Sequence, residues 1–508
     1  MNDTITLSPQ QEDALEFVRT GVGNAVLEAV AGSGKTSTLI EICDAIPASN
    51  SVVFTAFNKK IAQEIKRRLG GSHPNVHAAT FHSIGLSTWK RHEWRSEVDG
   101  DAIYKLMDTE DTPPQFRSFV IKAVSIAKQS CFGIHHPLSD YQSWRTMVDH
   151  HDMEAMLLGE DEISDNDLSN RLEDAIHWAI KILELSIENH DRFVDFDDML
   201  FAPLYHGARF YKHDWVLVDE AQDTNPARRM MAAELLSENG RLIAVGDRHQ
   251  AIYGFTGASA DALDLISDHF SCRQLPLTVS WRCAASIVEE AQNYVSHIEA
   301  APGAPAGTVR TIDEEEFSKL TPEPEDVILC RNTRPLVSLC LRYLTKDIPA
   351  CVEGRDIGRS LTILVRKWKK VKKISQLRHA LEKHLARETK RLSKKGNAGG
   401  QIHSLQDKVD SLHAIMDTMH DDDHVDMLTQ KINSLFQDTE GRHKQVLTLS
   451  TIHKAKGREW NRVYIYGRNM YMPSRFAKQE WELEQENNLI YVAVTRAKTE
   501  LIDVRLDY

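Results

Sequence analysis

The chain has 508 residues, 42% hydrophobic and 27% charged, with a formal net charge of −13 at pH 7. That length exceeds one hydrophobic core and predicts three or four globular domains, while the composition excludes a disordered chain. No apolar run approaches the roughly 20 residues of a membrane span, and seven cysteines without a C-x-x-C pair argue against zinc and iron–sulfur sites and fit a reducing compartment.

The first elements alternate. Ala25–Val30 reads as a strand, followed by a Gly-rich turn and a helix from Thr36; Ser51–Thr55 reads as a second strand, followed by a basic helix Asn58–Leu69. This β-loop-α rhythm predicts a parallel α/β sheet. From about His92 to Asp191 the periodicity is mainly helical, without strand signals, and predicts an inserted helical domain. Strands resume at Trp215–Val218 and Arg241–Val245. A second α/β block opens near Leu275, includes Asp326–Cys330, is interrupted at about Arg355, and resumes with Val446–Ser450, Val463–Tyr466 and Leu501–Val504. The loop Ala300–Gly307, followed by the acidic Asp313–Glu316, reads as a surface excursion. The expected division is 1–91 with 191–274, a helical insertion 92–190, then 275–355 with 441–508 around a basic helical hairpin 356–440.

The hairpin has its own pattern. Leu364, Trp368, Val371, Ile374, Leu381 and Leu385 recur at helical steps, as do Ile402, Leu405, Val409, Leu412, Met416 and Met419 after the turn Lys394–Gly400. Such seams predict two antiparallel helices packed through apolar stripes. Between Arg355 and Lys395 stand 15 Lys/Arg and three acidic residues, an excess of +12 that leaves −25 for the rest of the chain. Segregation of this kind suits a groove that grips a phosphate backbone, and equally a solvated basic helix face. The basic helix Arg366–Lys395 is expected to contact duplex or tail phosphates; its run RKWKKVKK also has the composition of a nuclear localisation signal.

The residues with chemistry begin at Ala29-Val-Ala31-Gly32-Ser33-Gly34-Lys35-Thr36, with a strand entering and a helix leaving. This is the context of a phosphate-binding loop. Gly32 and Gly34 let backbone N–H groups curl around phosphate oxygens, the helix start favours negative charge, and Lys35 neutralises it. Thr36 offers a hydroxyl to Mg²⁺. Ala29 replaces the first glycine of the strict pattern. The strand Trp215–Val218 ends in Asp219 and Glu220, which suit metal-assisted hydrolysis, Asp219 on Mg²⁺ and Glu220 polarising the attacking water. Together the two segments predict NTP hydrolysis.

With DEAQD at Asp219–Asp223, GDRHQAIYGFTGA at Gly246–Ala258, STIHKAKGREW at Ser450–Trp460 and IYVAVTRAK at Ile490–Lys498, the chain resembles superfamily 1 helicases of the UvrD/Rep/PcrA type. The motifs keep the family order from Gln11 to Lys498, while the insertions carry no motif. AFNKKIAQEI and GRDIG are similar to shorter, phage-borne or F-box-helicase-like members.

The resemblance implies two RecA-like P-loop domains with parallel sheets, each interrupted by a mainly helical insertion, and ATP with Mg²⁺ as cofactors. It implies that Gln11 reads the adenine edge, Gln250 couples the γ-phosphate to the DNA groove, Glu459 contacts the nucleotide, and Arg282 and Arg496 reach the γ-phosphate. An arginine so placed is worth about 10³–10⁵ in rate and ties hydrolysis to cleft closure, which turns ATP binding into stepping. For the strand it implies stacking at Phe255, with Phe57, Thr80, Phe81, His82, Tyr253, His453 and Trp460 in or beside the motifs that line it. Base stacking at about 1–3 kcal/mol tolerates any sequence.

Departures matter. Ser37 stands where many relatives have an arginine on the adenine, Trp281 where they have a tyrosine, Thr256 where an arginine follows the stacking aromatic. Selectivity for the base is then expected to rest on Gln11 and Trp281. The second insertion is small for the family. The expected function is an ATP-dependent DNA helicase moving 3′ to 5′ on single strands and their junctions with duplex. A single-strand translocase that strips proteins from DNA, or serves as motor subunit of a repair or defence complex, is the alternative; a protein partner in repair, replication or defence is compatible with each reading. A third class, an interaction subunit switched by ATP binding, fits poorly with a full hydrolytic set. Expected localisation is cytoplasmic, with nucleoid or nuclear association set by the source; the N-terminus MNDTITLSPQ lacks a signal-peptide layout. A monomer fits the pattern.

Overall fold

Six short, mostly apolar strands form the sheet of the first of two units, Met1–Thr278. They are β1 (Ala25–Ala29), β2 (Val52–Ala56), β3 (Val76–Thr80), β4 (His213–Val218), β5 (Leu236–Gly246) and β6 (Arg273–Leu277), in the order β3-β2-β4-β5-β1-β6, every ladder parallel. Successive side chains leave a strand on opposite faces. Leu27, Phe54, Leu217 and Ile243 therefore enter one core cluster, and Val26, Val53, Val216 and Leu242 another. Burial of both faces is why these strands read as continuous apolar runs. The structure, a computed structural model, describes residues 7–56, 58–151, 153–157, 165–252, 261–368, 371–393, 399–437, 446–475, 477 and 480–507.

Helices α1 (Pro9–Thr20), α2 (Lys35–Ala45), α3 (Lys59–Leu69) and α4 (Phe81–His92) flank the first strands. Four more, α5 (Ala102–Thr109), α6 (Pro114–Gln129), α7 (Tyr141–His150) and α8 (Asp165–Glu188), fill the interruption, followed by α9 (Asp198–Tyr205) and α10 (Pro226–Leu235). The four helices bury Phe119, Trp144, Ile176 and Leu183 in a core of their own, joined by Phe201 of α9 but by no residue of the six strands. The interruption also holds a two-residue parallel ladder, Glu97–Val98 with Phe193–Val194, where no strand was expected. One strand is reassigned. Leu275, read from the sequence as the start of the second block, lies on β6 opposite Leu27, where it covers the free edge of β1.

The second unit, Val279–Tyr508, carries a seven-stranded sheet. Its strands are β7 (Thr308–Asp313), β8 (Val327–Cys330), β9 (Ala350–Glu353), β10 (Phe436–Gln437), β11 (Leu447–Thr451), β12 (Trp460–Tyr466) and β13 (Ala497–Arg505). The order is β7-β13-β12-β8-β11-β9-β10, again parallel throughout. Between β9 and β10 the expected hairpin is four helices: Arg355–Arg366, Ile374–Ser393, Gly399–Met416 and Val425–Leu435. The single helix expected across Leu364–Leu385 breaks after Arg366. Six of the eight residues 366–373 are cationic, and like charges three and four apart oppose a helix. Ile374 and Ser375 instead donate their N–H groups to the carbonyls of Asp423 and Asp421, at 3.1 and 3.0 Å. The two long helices do run antiparallel, Arg378 near the start of one meeting Asp417 beyond the end of the other at 2.8 Å.

Candidate active site

In the first unit β1 delivers the loop that ends at α2. Gly32 and Gly34 take φ of 76° and 81°, the left-handed region that costs glycine nothing. A Cβ on Gly34 would also stand 3.2 Å from Gln11 Nε2. Lys35 opens α2, whose N-terminus carries no side-chain cap, so its backbone donors are left for an anion. Gln11 is buried against this loop: its Nε2 donates to Thr38 Oγ1 at 2.8 Å, and its Oε1 accepts the Ser8 N–H at 2.9 Å. At Ser37, where an arginine was missed in the sequence, a neighbouring helix supplies one: Arg68 Nη1 donates to Ser37 Oγ at 3.3 Å.

The carboxylates arrive at the end of β4. Thr36 Oγ1 donates to Asp219 Oδ2 at 2.7 Å, which brings the two chemical segments together across 183 residues. Hydroxyl and carboxylate oxygens are the hard donors Mg²⁺ takes. Burial, reinforced by the charge of Glu220, pushes the Asp219 carboxyl well above its ordinary range; a divalent cation there reverses such a shift. Among the described residues no group of three His, Cys, Asp or Glu side chains is placed to hold a metal by itself. Thr36 and Asp219 would need phosphate oxygens to complete a shell.

Glu220 has φ 50° and ψ 47°, unusual for a residue with a side chain and typical of functional turns. A hydrogen-bonded chain leads away from it. Gln222 Nε2 donates to Glu220 Oε2 at 2.5 Å, Gln222 Oε1 accepts the Asp247 N–H at 3.0 Å, and Asp247 Oδ2 accepts Gln250 Nε2 at 2.6 Å. Glu220 and Gln250, linked in the sequence only by family pattern, are thus joined by Gln222 and Asp247. Gly246 belongs to the same junction, since a Cβ there would meet Gln222 Oε1 at 2.7 Å.

On the adjoining face Thr80 caps α4 through a reciprocal box with Ser83. Phe81 is only 7% exposed and packs in the core. The half-buried His82 ring is stacked at 4.4 Å on Phe196, which is 63% exposed. Burial first, then the charge of Arg228, pushes the His82 pKa down to about 4, so the ring is neutral at pH 7. Phe196 was missed in the sequence, where it is one aromatic inside VDFDD. Its loop is pinned from α6. Lys128, 0% exposed, places Nζ 2.7 Å from Asp195 and 2.8 Å from Asp198, and Ser125 Oγ donates to Asp197 at 2.5 Å. Phe57, Tyr253 and Phe255 lie outside the described residues.

The second unit gathers Arg282, Glu459 and Lys498. Arg282 Nε lies 2.6 Å from Glu459 Oε2, and Lys498 Nζ 2.5 Å from its other oxygen. Trp281 is 43% exposed beside them. Arg496 is different: it is 1% exposed, and its guanidinium donates to the carbonyls of Val492 and Arg458 at 2.9 and 3.0 Å. Trp460 is 7% exposed, with Arg458 stacked over its ring at 4.8 Å. His453 lies on the short helix Ile452–Ala455, and burial pushes its pKa down to about 3.

Comparison with known proteins follows the same segments. The UvrD/REP helicase N-terminal domain matches residues 7–271, and the UvrD-like helicase C-terminal domain residues 447–502. F-box DNA helicase protein 1 of Schizosaccharomyces pombe is 22% identical over 94% of this chain and 55% of its own length. DNA helicase II of Haemophilus influenzae is 26% identical over 60% of this chain and 44% of its own. ATP-dependent DNA helicase Rep of Escherichia coli is 26% identical over 57% and 43%. The chain thus spans about half the length of these curated relatives.

Proposed function

The chain belongs to the UvrD/REP helicase family, and on that premise we propose that it is an ATP-dependent DNA helicase that moves 3′ to 5′ along single strands. The observation that carries the reading is the 2.7 Å hydrogen bond from Thr36 to Asp219, which assembles a phosphate loop and a carboxylate pair on one sheet. Lys35 and the N–H groups opening α2 bind the phosphates. Thr36 and Asp219 would hold Mg²⁺, and the chemistry it would supply there is neutralisation of phosphate charge. Glu220 accepts a proton from the attacking water, and Gln222 and Asp247 relay its position to Gln250. Gln11, buried beside the phosphate loop, is our candidate for reading the base. Of the two arginines that the resemblance assigns to the γ-phosphate, Arg282 is our candidate for transition-state charge, held ready by Glu459. Among the described residues no helix is long and apolar enough to cross a membrane.

The polar stacking pair His82–Phe196 supports a single-strand partner without sequence preference. A second reading, a translocase that needs a partner to unwind, is favoured by one feature: the helices from Arg355 to Leu435 merge into the sheet's own core. The test is ATP-dependent strand displacement on matched duplexes with a 3′ or a 5′ tail, with Lys35→Ala as control. Unwinding from the 3′ tail alone, lost in the variant, is expected. Strand-stimulated ATP turnover without unwinding selects the translocase, and unwinding from the 5′ tail overturns the polarity.

A further inference from the structure

The last turn of α6 holds two loops with one side chain. Gln129 Nε2 donates to Asp197 Oδ1 at 3.1 Å, while Gln129 Oε1 accepts from Asn225 Nδ2 at 3.3 Å. Asp197 follows Phe196 directly, in the segment that presents the exposed ring. Asn225 closes the segment that begins with Asp219 and Glu220, and caps α10 by accepting the Arg228 N–H at 3.0 Å. The next residue of that junction points the same way: Arg228 Nη1 donates to the carbonyl of Asp223 at 2.8 Å. A primary amide is the side chain that donates to a carboxylate and accepts from an amide at once. Gln129 is 68 residues from one partner and 96 from the other, so no local turn explains the arrangement.

We propose that Gln129 is a positioning residue through which a strand stacked on Phe196 and His82 sets the geometry of the Asp219–Glu220 carboxylates. The inference rests on the reading above, that single-stranded DNA stimulates ATP turnover. Its physical basis is the route available to a displacement. The Phe196 loop meets α6 at Lys128, Ser125 and Gln129, and of these side chains it is Gln129 that also bonds Asn225 and so passes a displacement on. The receiving segment is poised to respond, because Glu220 occupies a left-handed conformation that the surrounding bonds must maintain. Gln129 hydrogen-bonds Ser125, one turn back on its own helix, Asp197 and Asn225, and acts on the other loops through the last two.

The test exchanges the polarity of one hydrogen bond. Gln129→Glu sets two carboxylates against each other. Adding Asp197→Asn restores an amide–carboxylate pair with roles reversed, and Asn225 keeps an acceptor. Steady-state ATP turnover is measured with and without a saturating oligothymidylate, alongside the thermal midpoint of each variant. Gln129→Glu is expected to lower maximal stimulation about fivefold or more, the lower end of ordinary coupling between sites, with the half-saturating strand concentration changed less. The double variant is expected to return to within about twofold of the starting protein. Unchanged stimulation in Gln129→Glu overturns the inference. So does a loss that the double variant fails to restore, which marks simple damage to the fold. If the starting protein is not stimulated by the strand at all, the proposed function itself falls, and the inference with it.

Discussion

The helices between β3 and β4 and those between β9 and β10 answer the same sequence signal, an apolar stripe at helical spacing, with different cores. In the first unit Phe119, Trp144 and Leu183 pack among themselves and leave both faces of the sheet to other residues. In the second unit Leu377, Leu381, Leu412 and Ile432 share one cluster with Ile328, Val352, Leu449 and Ile502 of the sheet. The first insertion is a body of its own, tied to neighbouring loops by polar groups such as the buried Lys128 and the half-buried Gln129. The second is a layer of the domain it interrupts. A seam in the sequence states that a helix buries one face and is silent about what lies on the other side.

Four substitutions sharpen the contrast, in descending size. Trp144→Ala is expected to cost about 3–5 kcal/mol and to raise hydrogen exchange in α5 to α8 while β1 and β2 stay protected. Leu412→Ala is expected to cost slightly less, about 2–5 kcal/mol, yet to expose β9 and β11 together with the helices. Equal loss of protection in both sheets would erase the distinction. Next, Lys128→Met leaves Asp195 and Asp198 buried without their cation, and about 3 kcal/mol is expected from denaturant unfolding. Strand affinity is expected to fall with it, because the Phe196 loop loses its anchor; unchanged affinity would mean that the loop is held by other contacts. Smallest is Phe196→Ala, with about 1–3 kcal/mol lost from single-strand binding and stability nearly unmoved, since the ring is mostly exposed. A stability loss as large as the binding loss would show that Phe196 packs instead of stacking on DNA.

The parts legible in the sequence are those fixed by neighbours in the chain. Gly32, Gly34 and Lys35 prescribe their loop by backbone freedom and charge alone, and the apolar run before Asp219 prescribes a buried strand. The parts that were not legible depend on partners far away. Gln222 is an ordinary glutamine until Asp247 and Glu220 stand on either side of it. Lys128 reads as a solvated residue at the end of a helix, and is buried only because two aspartates meet it across 67 and 70 residues. Phe81 and Trp460 carry the family's motif positions, yet their rings are covered in the structure, whereas Phe196, outside any motif named in the sequence, has an open ring. The basic run 366–373 shows the opposite limit: its hydrophobic spacing continues a helix that its charges interrupt.

The backbone at Glu220 has a consequence for how such a chain changes over generations. A residue with a side chain carries about 1–2 kcal/mol in the left-handed region, and glycine carries none of it. The carboxylate proposed to take the proton from the attacking water is therefore held at a position where the fold by itself prefers glycine. Replacement by glycine relaxes the backbone there as it removes the carboxylate, so folding gives the residue no protection.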